Sequence, residues 1–228
     1  MDVAQFESNT GIIFKNKDLL TQAFVHRSYL NENPSFRLNH NERLEFLGDA
    51  VLELVVTEYL YAEFPNPEGE LTAWRAALVN AKMLGKIAEK LSMGDLLLLS
   101  RGEARDKGKA RQVILANAIE AFIGAAYLDS GYKTVSNFIV AHIIPELSSI
   151  IKSQTYKDAK SMFQEIAQER RGVTPRYAVL KEWGLDHAKN FKIGVYLNNE
   201  LVGEGDGVSK QDAQQEAAKD ALKKLGWG

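Results

Sequence analysis

Glu42, Glu45, Asp49 and Glu53 follow one another at steps of three, four and four in the run Asn41-Glu42-Arg43-Leu44-Glu45-Phe46-Leu47-Gly48-Asp49-Ala50-Val51-Leu52-Glu53. On an α-helix that spacing puts all four carboxylates on one face. From Leu44 to Trp74 the chain carries seven acidic residues and no Lys, Arg or His, so beyond Arg43 the stripe has no counter-ion on its own helix. Each like-charge pair four apart costs about 0.2–0.5 kcal/mol, and solvated helix faces ordinarily interleave lysine. Gly48 and Ala50 are small enough to let a second helix approach. Such packing would draw the carboxylates partly out of water, at a cost that cations offset. Taken alone, this helix fits a cation site and a plain acidic surface equally well.

A second segment adds a carboxylate of a different kind. In Gln112-Val113-Ile114-Leu115-Ala116-Asn117-Ala118-Ile119-Glu120-Ala121-Phe122-Ile123-Gly124-Ala125-Ala126-Tyr127-Leu128 the only charged residue is Glu120. An acid in the middle of an apolar helix is seldom buried unpaired. Its nearest polar neighbour on the same face is Asn117, and Ala121, Gly124 and Ala125 again permit close packing. Two such helices can bring Glu45, Asp49, Asn117 and Glu120 to one point, an all-oxygen set suited to Mg²⁺. The competing arrangement pairs Glu120 with a buried arginine such as Arg75.

The elements that must position these groups are helices. From Lys17 to about Lys152 apolar residues recur every three or four positions, the mark of an all-α unit. One helix is predicted from about Asn41 to Phe64, stopped by Pro65 and Pro67, and a second from Leu71 to Leu91 with a break near Asn80. A third runs from about Gln112 to Leu128 and ends in Asp129-Ser130-Gly131; a fourth, Lys133 to Lys152, is bent at Pro145. Beyond Lys152-Ser153-Gln154-Thr155-Tyr156 the texture changes. Asp158–Arg171 reads as a helix, Arg176–Leu180, Phe191–Leu197 and Leu201–Gly205 as strands, and Ser209–Leu225 as a closing helix. Asn198-Asn199 marks a hairpin turn, since Asn tolerates positive φ.

Composition narrows the function classes. The 228 residues contain no cysteine, which excludes disulfides, thiolate chemistry and cysteine-based zinc sites, and the four histidines (His26, His40, His142, His187) are too scattered for metal-ligand spacing. No apolar run near the length of a bilayer span and no leader-like N-terminus is evident, so a cytoplasmic protein without a membrane role is expected. Net charge is only -2. Residues 1–156 hold 16 basic against 19 acidic groups, and residues 157–228 hold 12 against 11, so the excess of carboxylates lies in the first part.

The runs NERLEFLGDAVLEL, EGELTAWRAALVN, a GE followed by a basic loop, and ILANAIEAFIGAAYLD, in that order and spacing, resemble the endonuclease domain of ribonuclease III. The remainder resembles a double-stranded-RNA-binding domain. The resemblance implies an all-α endonuclease domain (1–152), a linker (153–157) and a small α-β-β-β-α domain (158–228). It implies a homodimer with no nucleotide cofactor that uses Mg²⁺, with Mn²⁺ able to substitute, to cut both strands of an RNA duplex and leave 5′-phosphates. Expected substrates are ribosomal RNA precursors and structured messenger and transfer RNA transcripts. Glu45, Asp49, Asn117 and Glu120 fall at the family's metal positions, with Asp49 and Glu120 the pair assigned to catalysis. Glu42 and Glu68 fall at secondary acidic positions. Phe46 matches an aromatic inserted into a partner subunit, although an ordinary core phenylalanine fits the sequence as well.

Departures from the pattern matter too. Asn117 stands where the family usually has Asp, which removes one negative charge and weakens the expected hold on the metal. The alternative is therefore a double-stranded-RNA-binding protein with impaired catalysis, or a ribosome-associated structural protein on the same fold. In the C-terminal part Gln164 and Gln168, four apart, match positions that enter the RNA minor groove, where amides can both donate to and accept from 2′-hydroxyls. His187 and Lys189 lie in the matching strand connection, and Lys210 opens the last helix where phosphates are held. Gln211 and Gln214 stand at positions often basic, which predicts weaker and less salt-sensitive binding. Arg101, Arg105, Lys107, Lys109 and Arg111 form a further basic segment.

Overall fold

The computed structural model describes residues 3–153, 159–185 and 189–227. It divides into two compact units, Met1–Tyr156 and Lys157–Gly228. Most of the segment expected as a linker lies outside the described residues, although Ser153 still closes a helix.

The first unit is helical. Its elements are α1 (Val3–Thr10), α2 (Lys17–Ala23), α3 (Arg27–Glu32), α4 (Glu42–Glu63), α5 (Glu68–Leu78), α6 (Ala81–Lys90), α7 (Lys109–His142) and α8 (Leu147–Ser153). The break expected near Asn80 separates α5 from α6, and the Asn80 side chain caps α6 by accepting from the Met83 N–H at 3.0 Å. The predicted stop at Asp129-Ser130-Gly131 is a kink instead. Gly131 leaves helical geometry at φ 78°, ψ 176°, a conformation open to glycine, and helix resumes on the far side. Asp129 holds this kink against the N-terminal segment, accepting from the Asn16 and Lys15 backbone N–H groups at 2.8 and 3.0 Å.

Contrary to the expectation from sequence, the stretch Lys109–Lys152 is long and apolar enough to cross a bilayer. Length and apolarity alone do not separate a membrane span from a core helix. Here Ile114, Leu115, Ile119, Phe122 and Ile123 are buried in the core of the first unit. Phe122 is its hub, with ring centroids 5.2 Å from Phe6, 5.6 Å from Phe14 and 5.1 Å from Phe138. Two residues along a helix turn the side chain by about 200°. Seating Phe122 among these rings therefore points Glu120 away from them.

In the second unit α9 (Ala159–Arg171) and α10 (Lys210–Leu225) accompany an antiparallel sheet β1 (Arg176–Trp183), β2 (Asn190–Leu197), β3 (Glu200–Gly207) in sequential order. Asn198 takes φ 54° in the β2–β3 turn, as its position predicts. The strands run further than the apolar pattern indicates. Lys181, Glu182 and Trp183 extend β1 as an exposed ribbon, past a register shift between Val179 and Lys181. The core joins Phe163 and Ala167 of α9 and Ala213, Ala217 and Ala221 of α10 to Ile193, Val195 and Leu197.

Candidate active site and nucleic-acid interface

The acidic site is built by a close crossing of α4 and α7. A Cβ placed on Gly48 would lie 1.7 Å from the Glu120 carbonyl oxygen, and one on Gly124 would lie 2.2 Å from that of Leu44. The two backbones touch, so no side chain larger than hydrogen fits at either position. Ala121 and Ala125 are buried in the same region, as expected, whereas Ala50 is exposed and takes no part in the crossing. Asn41 sets where α4 starts. It is 3 % exposed, its side-chain amide donates to the Ala23 carbonyl at 3.1 Å, and its own N–H donates to the Val25 carbonyl at 2.9 Å.

The crossing brings Glu45, Asp49, Asn117 and Glu120 into one field. Burial, then the charges of Asp49 and Glu45, push the Glu120 carboxyl up from an ordinary 4.5 to about 7. Burial also raises Glu45, with contributions from Glu42 and Asp49, while a hydrogen bond from Asn117 pulls it back down. Asn117 thus favours the charged form of Glu45, an effect that an ionised Asp in its place could not have. No cation is among the groups acting on Glu45 or Glu120. Arg75 donates instead to the Thr57 hydroxyl at 2.9 Å, which removes the alternative partner for Glu120.

Among the described residues no three Asp, Glu or His side chains are gathered into a ready-made cage. The carboxylates raise one another's proton affinity while standing apart, the disposition expected of like charges with no Lys or Arg between them. The donor set nevertheless fits a hard divalent cation, because every available atom is oxygen and the cluster needs positive charge. Glu42 joins from the edge and has a counter-ion of its own, Arg27 Nη1 at 3.6 Å, with the imidazole of His40 beside it, Nδ1 at 3.7 Å. Neither partner stands out in the sequence, because both lie before α4 and only the fold brings them back. Glu68 is not among the groups acting on the cluster. It opens α5, accepts from the Thr72 hydroxyl at 2.8 Å and lines a cavity of about 700 Å³ with Thr57, Tyr61, Phe64 and Arg75.

Phe46 is 82 % exposed on α4, which excludes the reading as a core residue of the single chain. Ala50, Leu54 and Tyr61 share that face by their spacing and are exposed as well. In the basic segment Arg101 is fixed at its backbone N–H, which donates to the Glu32 carboxylate at 3.2 Å. Arg111 turns inward, with Nη2 donating to the Gly94 carbonyl at 3.0 Å.

In the second unit Gln164 and Gln168 are exposed one turn apart on α9 and line a shallow groove with Ser161, Glu165 and Glu169. Gln168 also accepts from the Thr174 hydroxyl at 3.2 Å. Lys210 stands over the Phe191 ring at 5.5 Å, 3.5 Å from the Glu182 carboxylate. Lys189 is exposed where β2 begins, and His187 lies outside the described residues.

A ribonuclease-III-like family profile matches residues 16–147, and a double-stranded RNA binding motif matches residues 159–225. The chain belongs to the ribonuclease III family. It is 44 % identical to "Ribonuclease 3" of Oceanobacillus iheyensis over 97 % of both chains. It is 46 % identical to that of Natranaerobius thermophilus over 98 % of this chain and 96 % of the relative. The solved nuclease domain of ribonuclease III from Campylobacter jejuni is 41 % identical and superposes with a TM-score of 0.57, covering 63 % of this chain and 97 % of that one. This ribonuclease III chain is thus an endoribonuclease specific for double-stranded RNA, a helical nuclease domain followed by an α-β-β-β-α RNA-binding domain.

Proposed function

We propose that this ribonuclease III cleaves duplex RNA at the cluster of Glu45, Asp49, Asn117 and Glu120 on a divalent cation, Mg²⁺ foremost with Mn²⁺ as substitute. The observation that carries the reading is Glu120, a carboxyl pushed to about 7 beside two further carboxylates with no cation acting on it. When bound, a divalent cation supplies an activated water, neutralises charge on the scissile phosphate and stabilises the leaving oxygen. Asp49 and Glu120 take the catalytic positions and present their oxygens across the crossing. Asn117 keeps Glu45 turned toward the cluster through its amide, and the contact of Gly48 with Glu120 fixes the spacing of the two helices. Glu42 adds negative potential at the rim. Attack by water on phosphorus breaks the bond to the 3′ oxygen, which takes up a proton, and leaves a 5′-phosphate on one product and a 3′-hydroxyl on the other.

The exposed apolar face of Phe46, Leu54 and Tyr61 supports a homodimer, with Phe46 as an anchor, because a side chain of that size seldom stays in water at such exposure. Gln164, Gln168, His187, Lys189 and Lys210 are assigned to the duplex. Processing of ribosomal RNA precursors and structured messenger and transfer RNA in the cytoplasm is the corresponding cellular role. A second reading rests on the neutral Asn117, which leaves the cluster one charge short and would make the chain a duplex-binding protein with impaired catalysis.

Incubating the protein with a long duplex and with each separated strand, first in Mg²⁺ and then in EDTA, decides between them. The expected result is cleavage of the duplex alone, in Mg²⁺ alone. Duplex binding without cleavage at any Mg²⁺ concentration selects the second reading, and cleavage confined to single strands overturns both.

A further inference from the structure

Lys160, Gln164 and Gln168 follow one another at steps of four, so Lys160 continues the glutamine row of α9 by one more turn. That extra turn points at α10. The Lys160 ammonium donates to the Gln214 side-chain oxygen at 2.8 Å, and the Lys160 backbone N–H donates to that of Gln215 at 3.3 Å. The ammonium also lies 5.3 Å from the centre of the Tyr177 ring, a cation–π contact that helps to place it. Gln214 is one turn beyond Lys210, the single lysine in the first two turns of α10. A continuous polar track therefore runs from Gln168 through Gln164 and Lys160 to Gln214 and on to Lys210, from one helix to the next.

We propose that Lys160 is a phosphate-binding residue for the RNA duplex, a cation that α9 delivers to the first turns of α10, where Lys210 is the helix's own single cation and stands among Asp212, Glu216 and neutral glutamines. The proposal rests on the assignment of the second unit as the duplex-binding part and extends it by a residue. Charge and position both serve this role. The first turns of α10 present N–H groups that favour anions, and Lys160 adds a full positive charge beside them. An ammonium has three N–H donors, so holding the Gln214 amide is compatible with holding a phosphate oxygen. A row that offers amides at two successive turns and a cation at the third suits a groove edge followed by a backbone, the order met when a helix leaves the minor groove of an A-form duplex.

The test is fluorescence anisotropy with a short labelled duplex RNA, the full chain and EDTA to prevent cleavage, as KCl is raised from about 50 to about 200 mM. Neutralising one phosphate contributes roughly 0.9 to the slope of log affinity against log salt. Lys160→Met, which removes the charge and keeps an unbranched side chain, is expected to flatten the slope by about one and to lose about threefold less affinity across that salt range than the natural chain. Lys160→Arg is expected to keep the slope, and Gln214→Lys to steepen it by about one. An unchanged slope in Lys160→Met, or in Gln214→Lys, overturns the proposal and leaves Lys160 as a packing contact between helices. Failure of the natural chain to bind the duplex at all overturns the assignment of the unit itself.

Discussion

In the proposed reading the crossing of α4 with α7 and the track along α9 and α10 both address a polyanion, and they do so with opposite materials. At the crossing, backbone meets backbone, acids outnumber bases, and a Cβ at Gly48 would strike the Glu120 carbonyl. Along the track, long flexible side chains reach over open surface, with amides and lysines interleaved among carboxylates such as Glu165, Glu169 and Glu182. Cutting one bond needs oxygen donors fixed within fractions of an ångström, and only a backbone contact gives that. Gripping any duplex needs tolerance to sequence, which rotatable amides and ammonium groups supply. The nuclease unit should therefore fail abruptly when perturbed and the RNA-binding unit gradually.

The largest effect is expected at Asp49. Loss of groups that merely orient metal ligands costs roughly 10–100-fold, so Asp49→Asn should slow cleavage by more than that while duplex affinity in EDTA stays unchanged. A parallel loss of binding would mean that the two regions are not separable. Next is Gly48→Ala, whose methyl group has nowhere to go. It should destabilise the first unit by about 3 kcal/mol or more, read as an early unfolding transition, and leave the duplex-binding unit folded. A melting curve identical to that of the natural chain would show that the helices can part at no cost. Phe46→Asp should weaken self-association by about 2 kcal/mol, or roughly 30-fold, in sedimentation velocity. A variant that dimerises as tightly would remove Phe46 from the interface.

Much of the crossing is legible in the amino-acid sequence alone. A lone Glu120 in an apolar helix, small residues around it and an unbalanced acidic stripe are local signals, and the breaks at Pro65 and Asn80 are written in single residues. What is not legible depends on which way a helix is rotated or on contacts distant in sequence. Ala50 looks as suitable for close packing as Gly48, yet it faces out because Leu44, Val51, Leu52 and Val55 claim the core side. The burial of Asn41 against Ala23 and Val25, the pairing of Glu42 with Arg27, and the Lys160–Gln214 contact all join segments with no common pattern. The apolar length of α7 is masked in the sequence because Glu120, Asp129 and Lys133 punctuate it.

Two smaller effects sharpen the contrast from the electrostatic side. Glu120 titrates near 7 in the folded chain against 4.5 ordinarily. Between those values the folded chain holds a proton that the unfolded chain has released. The cation-free protein therefore loses stability as pH rises from about 4.5 through about 7. Thermal unfolding in EDTA at about pH 5 and pH 8 should show this decline relative to Glu120→Gln, and Mg²⁺ should recover it at pH 8. An equal pH response in both chains would contradict the burial of that charge. Smallest is Asn117→Asp, which adds a charge but removes the hydrogen bond to Glu45. It should lower the Mg²⁺ concentration for half-maximal cleavage by several-fold, about tenfold at most. An unchanged requirement would mean that position 117 orients Glu45 and touches no metal.

The most direct test places cutting and gripping in one experiment. Single-turnover cleavage of one saturating duplex is followed across a Mg²⁺ titration for the natural chain and for Glu120→Gln, with duplex affinity measured on the same samples in EDTA. The natural chain should cleave at a rate that climbs with Mg²⁺ and vanishes in EDTA, and Glu120→Gln should bind the duplex equally well and leave it intact. Cleavage by Glu120→Gln at the natural rate, or by the natural chain in EDTA, would contradict the account.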